Sequence, residues 1–202
     1  MTKRANLRPR LGVLLSGAGR TLQNLLDRIG DHRMRATVCG VASDRADAFG
    51  LQRAMDHGLE ARHLTEPSTT WSWLMELDVD LVVLAGYLKL LPMVPEFAGR
   101  VLNIHPALLP KYGGKGMYGD RVHAAVLASG DTESGCTVHL ATENYDEGRI
   151  LLQARVPVLA NDTATTLATR VFAAECEAYP AAIAMRWQEL TSTGTPKTSV
   201  SR

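Results

Sequence analysis

The hydrophobic positions of this chain fall into short unbroken runs separated by stretches with helical spacing. Residues 11–15 are apolar without polar alternation, the pattern of a strand covered on both faces. Ser16-Gly17-Ala18-Gly19-Arg20-Thr21 follows, and then Leu22, Leu25, Leu26 and Ile29 recur at helical intervals. That order predicts strand, glycine turn, helix. A second strand is expected over 36–42, leading through Ser43-Asp44 into a helix that runs to about His57 and is stopped by Gly58. A short strand near 61–64 precedes a helix carrying Trp71, Trp73 and Leu74, and 80–85 contains Leu81, Val82, Val83 and Leu84 in succession. The alternation predicts an α/β fold: an open, mostly parallel twisted sheet with helices on both faces.

The later half changes character. A strand over 101–105 is ended by Pro106, which cannot donate to a ladder. Residues 106–119 then form a long loop with four glycines and two prolines, a length that in a compact domain usually serves function. A helix is expected over 120–128, two strands over 135–141 and 149–156 joined by 142–148, and a long helix over 163–187 with Asp162 or Thr163 as its cap. With 202 residues the chain can bury one substantial core, and 11–188 reads as one domain. A basic arm, 1–10, precedes it, and a tail over 189–202, rich in Ser, Thr and Lys, is expected to be disordered.

Charge and cysteine content narrow the partners. A formal net charge of +1 gives no support for a polyanion-binding surface, so nucleic acid is not an expected partner. No apolar run is long enough to cross a bilayer, and no membrane partner is expected. The three cysteines, Cys39, Cys136 and Cys176, are far apart and form no Cys-x-x-Cys pair, which fits reduced thiols in a cytoplasmic protein. The histidines lack a zinc-ligand spacing, so no metal is expected. Small-molecule substrates and a monomer or homodimer are the remaining expectation.

The segment Leu102-Asn103-Ile104-His105-Pro106 carries the sharpest chemical signal. In an extended segment Asn103 and His105 share a face. An amide can donate to a developing oxyanion while an imidazole handles a proton, which suits acyl transfer to an amine. The same letters also fit a polar strand end with a satisfied histidine. The Gly17-Ala18-Gly19 turn suits an anion at a helix start, but Leu22 occupies the third glycine position of the dinucleotide pattern and no Gly-Lys-Ser/Thr follows. A nucleotide cofactor is therefore not expected, whereas one phosphate ester fits. In Thr142-Glu143-Asn144-Tyr145-Asp146-Glu147-Gly148, a carboxylate beside His105 would orient the ring and raise its pKa, although spacing alone does not bring Asp146 there. His139 reads as a structural histidine or a second proton-transfer group, and His123 as a local hydrogen-bond partner.

Taken together, these segments resemble the folate-dependent formyltransferases. The likeness is carried by Leu14-Leu15-Ser16-Gly17-Ala18-Gly19, Val83-Leu84-Ala85-Gly86-Tyr87, Asn103-Ile104-His105-Pro106-Ala107-Leu108-Leu109-Pro110-Lys111-Tyr112, Gly135-Cys136-Thr137-Val138-His139 and Tyr145-Asp146-Glu147-Gly148-Arg149-Ile150-Leu151-Leu152-Gln153. It runs in order from about Leu11 to Trp187. The resemblance implies direct formyl transfer from 10-formyltetrahydrofolate, a cosubstrate, to the primary amine of glycinamide ribonucleotide, through a tetrahedral intermediate in purine synthesis. It places Asn103, His105 and Asp146 on the catalytic asparagine, histidine and aspartate, with His139 supporting and Asp146 orienting His105 and a bridging water. It matches Gly19, Arg20 and Thr21 to a phosphate loop, and Glu175 to an acidic contact with the glycinamide. Leu88, Lys89, Leu90 and Leu91, together with Asn103, Thr142, Glu143, Asn144, Tyr145 and Asp146, match the folate side.

Three departures bear on the acceptor. Arg20-Thr21 replaces a common Ser-Asn, the Gly113–Gly119 segment resembles the longer loop of a subset of the family, and Phe172 stands where some members carry a basic or polar group. Arg20 or Lys115 would compensate. A formyltransferase acting on another amine, such as an amino sugar nucleotide, or a catalytically silent folate- or nucleotide-binding homologue, are the alternatives. Methionyl-tRNA formyltransferases and formyltetrahydrofolate deformylases share the core but carry extra domains that this reading does not expect here.

Overall fold

A computed structural model describes residues 8–192. The elements alternate in the order β1 (Arg10–Leu15), α1 (Arg20–Gly30), β2 (Thr37–Ser43), α2 (Phe49–Asp56), β3 (Ala61–His63), α3 (Pro67–Glu76), β4 (Leu81–Leu84), β5 (Val101–His105), α4 (Asp120–Ser129), β6 (Glu133–Leu140), β7 (Ile150–Pro157) and α5 (Ala164–Ser192). One seven-stranded sheet runs β3-β2-β1-β4-β5-β6-β7. The chain divides into two compact units, one comprising residues up to Leu102 and from Ile183 onward, the other Asn103–Ala182.

In the first unit β1 pairs in parallel with β2 and with β4, and β2 pairs in parallel with β3. Leu11, Val13, Leu14 and Leu15 are fully buried, as are Leu81, Val82 and Val83, which is why these strands read as unbroken apolar runs. Two strand glycines let α3 lie close: a Cβ on Gly12 would stand 2.3 Å from Leu74, and one on Gly40 would stand 2.7 Å from Trp73. Trp73 is 2% exposed and donates its indole N–H to Glu60, so the large ring is buried without an orphaned donor. Trp71 stacks on Phe97 of a short 3-10 turn at Pro95–Phe97, an element too brief for periodicity to reveal.

In the second unit β6 and β7 form an antiparallel pair. The segment after β5 is strapped to this hairpin. Thr137 Oγ1 donates to Ala107 O at 2.7 Å and accepts from Leu109 N, while Gln153 Nε2 donates to Leu109 O. These bonds satisfy backbone that Pro106 has taken out of the ladder, and they anchor the exit from His105. The α5 cap is Thr163, whose Oγ1 accepts from Thr166 N; Asp162 instead holds Arg170 through two contacts of 2.6 and 2.9 Å. The same helix extends past the expected end at Trp187, through Ser192, because Leu190 adds a buried position one turn on (6% exposed). The basic arm, apart from Arg8 to Arg10, and the tail beyond Ser192 lie outside the described residues.

Candidate active site

Three side chains of the second unit, those of Asn103, His105 and His139, converge on the carboxylate of a fourth, Asp146. β5 presents Asn103 and His105 on one face, as their two-residue spacing requires. β6 presents His139 at its end, where the register with β7 shifts between Val138 and His139, a bulge that re-aims the side chain. The β6–β7 connection returns Asp146 to the same place. It closes tightly: Leu140 N bonds Arg149 O, and a Cβ on Gly148 would fall 1.6 Å from Leu140 O, so no other residue fits there. Asp146 itself is left-handed at φ 59.

The distances define the proton positions. His105 Nε2 stands 2.7 Å from the carbonyl oxygen of Tyr112, which only accepts, so Nε2 carries a proton. His105 Nδ1 then faces Asp146 Oδ2 at 3.4 Å with a lone pair when the ring is neutral. Asn103 Nδ2 lies 3.0 Å from His139 Nε2 and 3.3 Å from Asp146 Oδ1, and His139 Nδ1 donates to Leu140 O at 3.0 Å, leaving its Nε2 to accept from Asn103. Gly114 N–H donates to Asp146 Oδ2 at 2.9 Å. The side chains of His105 and Asp146 are 4% and 9% exposed.

Burial pushes the His105 imidazole below its ordinary value, and the Asp146 carboxylate and the Tyr112 carbonyl offset this only in part. The sequence-based expectation of a raised value is thus corrected: desolvation outweighs the neighbouring charge. Burial pushes the Asp146 carboxyl up, but His139, His105 and the Gly114 amide outweigh it and leave the group below the ordinary carboxylate value. The site therefore rests as a neutral imidazole beside a carboxylate anion. A proton arriving at Nδ1 is met at once by Asp146.

His123, on α4, departs from its expected role. Its Nδ1 is buried with no hydrogen-bond partner, and burial lowers its pKa. Two groups that hold the site were invisible to side-chain reasoning: the Tyr112 carbonyl and the Gly114 amide are backbone atoms of the long loop. The only signal was the glycine-rich loop itself.

Other candidates occupy separate places. Thr142, Glu143 and Asn144 are exposed in the β6–β7 connection and Tyr145 is half-buried. Glu175 and Phe172 are half-buried on α5; Glu175 helps raise the Cys136 thiol, which burial chiefly pushes up to about 12. In the first unit Gly19, at φ 71, begins α1 with no side-chain cap, so the first helical amides, those of Arg20 and Thr21, are not taken by a capping side chain. The turn is held from α2, where Gly50 N donates to Gly17 O and Arg53 Nε donates to Ala18 O. A Cβ on Gly19 would stand 2.6 Å from Gly50 Cα. Arg20 is exposed. After β4, Leu88 and Leu90 are 43% and 39% exposed, Leu91 is core at 2%, and Lys89 Nζ donates to Thr65 O. Among the described residues no group of three or more His, Cys, Asp and Glu side chains is arranged to hold a metal ion, and no helix is long and apolar enough to cross a membrane.

Comparison with known proteins sets this geometry in context. The family model described as formyl transferase matches residues 9–183. The chain is 41% identical over 184 residues to the chloroplastic phosphoribosylglycinamide formyltransferase of Arabidopsis thaliana, covering 85% of this chain and 63% of that one. It thus spans slightly less than two thirds of that relative. It is 39% identical to the phosphoribosylglycinamide formyltransferase of Escherichia coli, covering 85% and 84% of the two chains. The crystal structure of glycinamide ribonucleotide transformylase 1 from Symbiobacterium toebii superposes with a TM-score of 0.83 at 39% identity, over 93% of this chain and 90% of that one.

Proposed function

The chain belongs to the formyl transferase family, and from that premise we infer that it passes a formyl group from 10-formyltetrahydrofolate to the primary amine of glycinamide ribonucleotide. The observation that carries this reading is the placement of His105, with Nε2 2.7 Å from the Tyr112 carbonyl oxygen and Nδ1 3.4 Å from Asp146 Oδ2. In the reaction the amine nitrogen attacks the formyl carbon, the bond from that carbon to folate N10 breaks, the amine loses a proton and N10 gains one. His105 Nδ1 accepts the first proton and returns it to the leaving nitrogen. Asp146 stabilises the imidazolium between those steps. Asn103 turns an N–H from its long 3.3 Å contact with Asp146 towards the developing oxyanion.

Further residues supply binding. The start of α1, where Gly19 offers no capping side chain, suits the ribonucleotide phosphate, with the Arg20 guanidinium adding charge. Glu175 serves the glycinamide end. For the folate, the exposed Leu88 and Leu90 offer aliphatic surface suited to a flat ring, and the backbone groups of 142–146 are of the kind that reads a polar edge. The three free cysteines fit a reducing compartment, and we place the protein in the cytoplasm, acting on small molecules as a monomer or homodimer.

Steady-state release of tetrahydrofolate tests the assignment. Turnover with glycinamide ribonucleotide, and at least about a hundredfold less with amino sugar nucleotides, is expected. Equal turnover without any amine marks a hydrolase, and no turnover with any amine marks a silent homologue. Arg20→Ala raises KM for the ribonucleotide about fivefold while kcat stays within about twofold. An unchanged KM removes Arg20 from the phosphate site.

A further inference from the structure

The ring of His105 has two acceptors competing for one proton. Tyr112 O lies at Nε2 and Asp146 Oδ2 at Nδ1. A neutral imidazole satisfies one of them. If the proton sat on Nδ1, it would bond a carboxylate, the stronger acceptor, and the basic nitrogen would be Nε2, turned away from Asp146. The acid–base role assigned above needs the opposite tautomer, and the Tyr112 carbonyl, only 2.7 Å away, is what favours it.

That carbonyl is held in place by unusual means. Tyr112 is left-handed at φ 58, a conformation that is strained for a bulky residue and persists only where surroundings impose it. The imposing contacts are at the other end of the side chain. Tyr112 Oη lies 2.5 Å from Ser129 Oγ at the end of α4 and 2.8 Å from Asp131 Oδ2. Ser129 Oγ donates to Val126 O, so the phenol proton is the one shared with these two acceptors. Lys111 Nζ holds Asp131 from the opposite side at 3.0 and 3.2 Å. The phenol and Lys111 keep the Asp131 carboxyl below its ordinary value, so it stays an anionic acceptor. Two residues further along the same loop, Gly114 N–H fixes Asp146 Oδ2.

We propose that Tyr112 is a positioning residue whose phenol, anchored on Ser129 and Asp131, holds its own backbone carbonyl on His105 Nε2 and thereby selects the tautomer that leaves Nδ1 basic. The kinetic part of this inference rests on the formyl-transfer reading; the tautomer part does not. The groups facing His105 are Asp146 from the β6–β7 connection, His139 from β6, His123 from α4 and the Tyr112 carbonyl from the loop.

The test is Tyr112→Phe in the full chain, read by nitrogen NMR of labelled histidine and by formyl-transfer kinetics. In the wild type His105 carries its neutral-state proton on Nε2. In Tyr112→Phe a substantial Nδ1–H population appears, kcat falls about tenfold, the scale of a small misplacement at a reacting group, and both KM values stay within about twofold. The low-pH limb of the kcat profile moves as well, because the proton on Nδ1 now bonds Asp146. Ser129→Ala combined with Asp131→Ala removes both acceptors of the phenol and reproduces these effects should the phenylalanine variant fold poorly. Asp131→Asn keeps an acceptor and restores the wild-type tautomer and kcat to within about twofold. An unchanged tautomer in both Tyr112→Phe and the Ser129→Ala, Asp131→Ala double variant overturns the proposal, whether activity is kept or is lost with a lowered Tm. Should the wild type transfer no formyl group, the functional reading falls while the NMR arm still decides the tautomer.

Discussion

Replacing His105 with alanine lowers kcat at least about a hundredfold, the lower end of what a positioned acid–base group contributes. The methyl group cannot take the amine proton or return it to the leaving nitrogen, and the Tyr112 carbonyl and Asp146 Oδ2 both lose the partner between them. KM changes little, since the ring acts on the proton in transit more than on bound substrate. The wild-type enzyme shows an activity limb that rises as His105 deprotonates, at a pH below the ordinary imidazole value because burial lowers its pKa. The limb is absent from the alanine variant. The same shift bears on stability: the neutral buried ring contributes above the unfolded imidazole value, and that contribution is lost as pH falls through the folded value. A kcat loss below about threefold assigns the proton transfer to another group.

Asp146→Asn is expected to cost about a hundred- to thousandfold in kcat, although the side chain keeps its size. Asp146 accepts from Gly114 N–H through Oδ2 and from Asn103 through Oδ1, and both oxygens are within 3.4 Å of an imidazole nitrogen. An asparagine has one carbonyl for those two donors, so one is left unmet. If its NH₂ turns towards His105, it caps the Nδ1 lone pair that must act as base. Loss of the anion also lowers the His105 pKa further, so the low-pH limb moves to still lower pH. The wild-type carboxylate contributes stability above the ordinary carboxylate value and loses it as pH falls through its lowered folded value; the asparagine variant lacks that acid-side decline. A kcat profile that keeps both height and position removes Asp146 from the chemistry.

Much of this was legible in the sequence for physical reasons. Continuous apolar runs marked β1 and β4 because both are buried, and β5 was read to the residue because Pro106 ends it. The pairing of Asn103 with His105 follows from the two-residue period of a strand. Asp146 is different. Its contact with His105 depends on the register shift at His139 and on the tight return through Gly148, and neither is a function of spacing. The letters suggested the contact only by resemblance. The resting charge of His105 is not legible there, because sequence offers the neighbouring carboxylate but not the depth of burial that outweighs it. The Tyr112 carbonyl and Gly114 amide were hidden for a simpler reason: every residue has those atoms, and only folding of the loop aims them.

We propose that one imidazole, neutral at rest and backed by a carboxylate, handles the proton while the formyl group passes straight from carrier to amine. Running the reaction in heavy-oxygen water with formyl-labelled carrier tests it most directly. A formylated ribonucleotide that carries the label, an unexchanged formyl oxygen and no free formate are expected. Labelled formate containing solvent oxygen, formed ahead of any formylated amine, would contradict it.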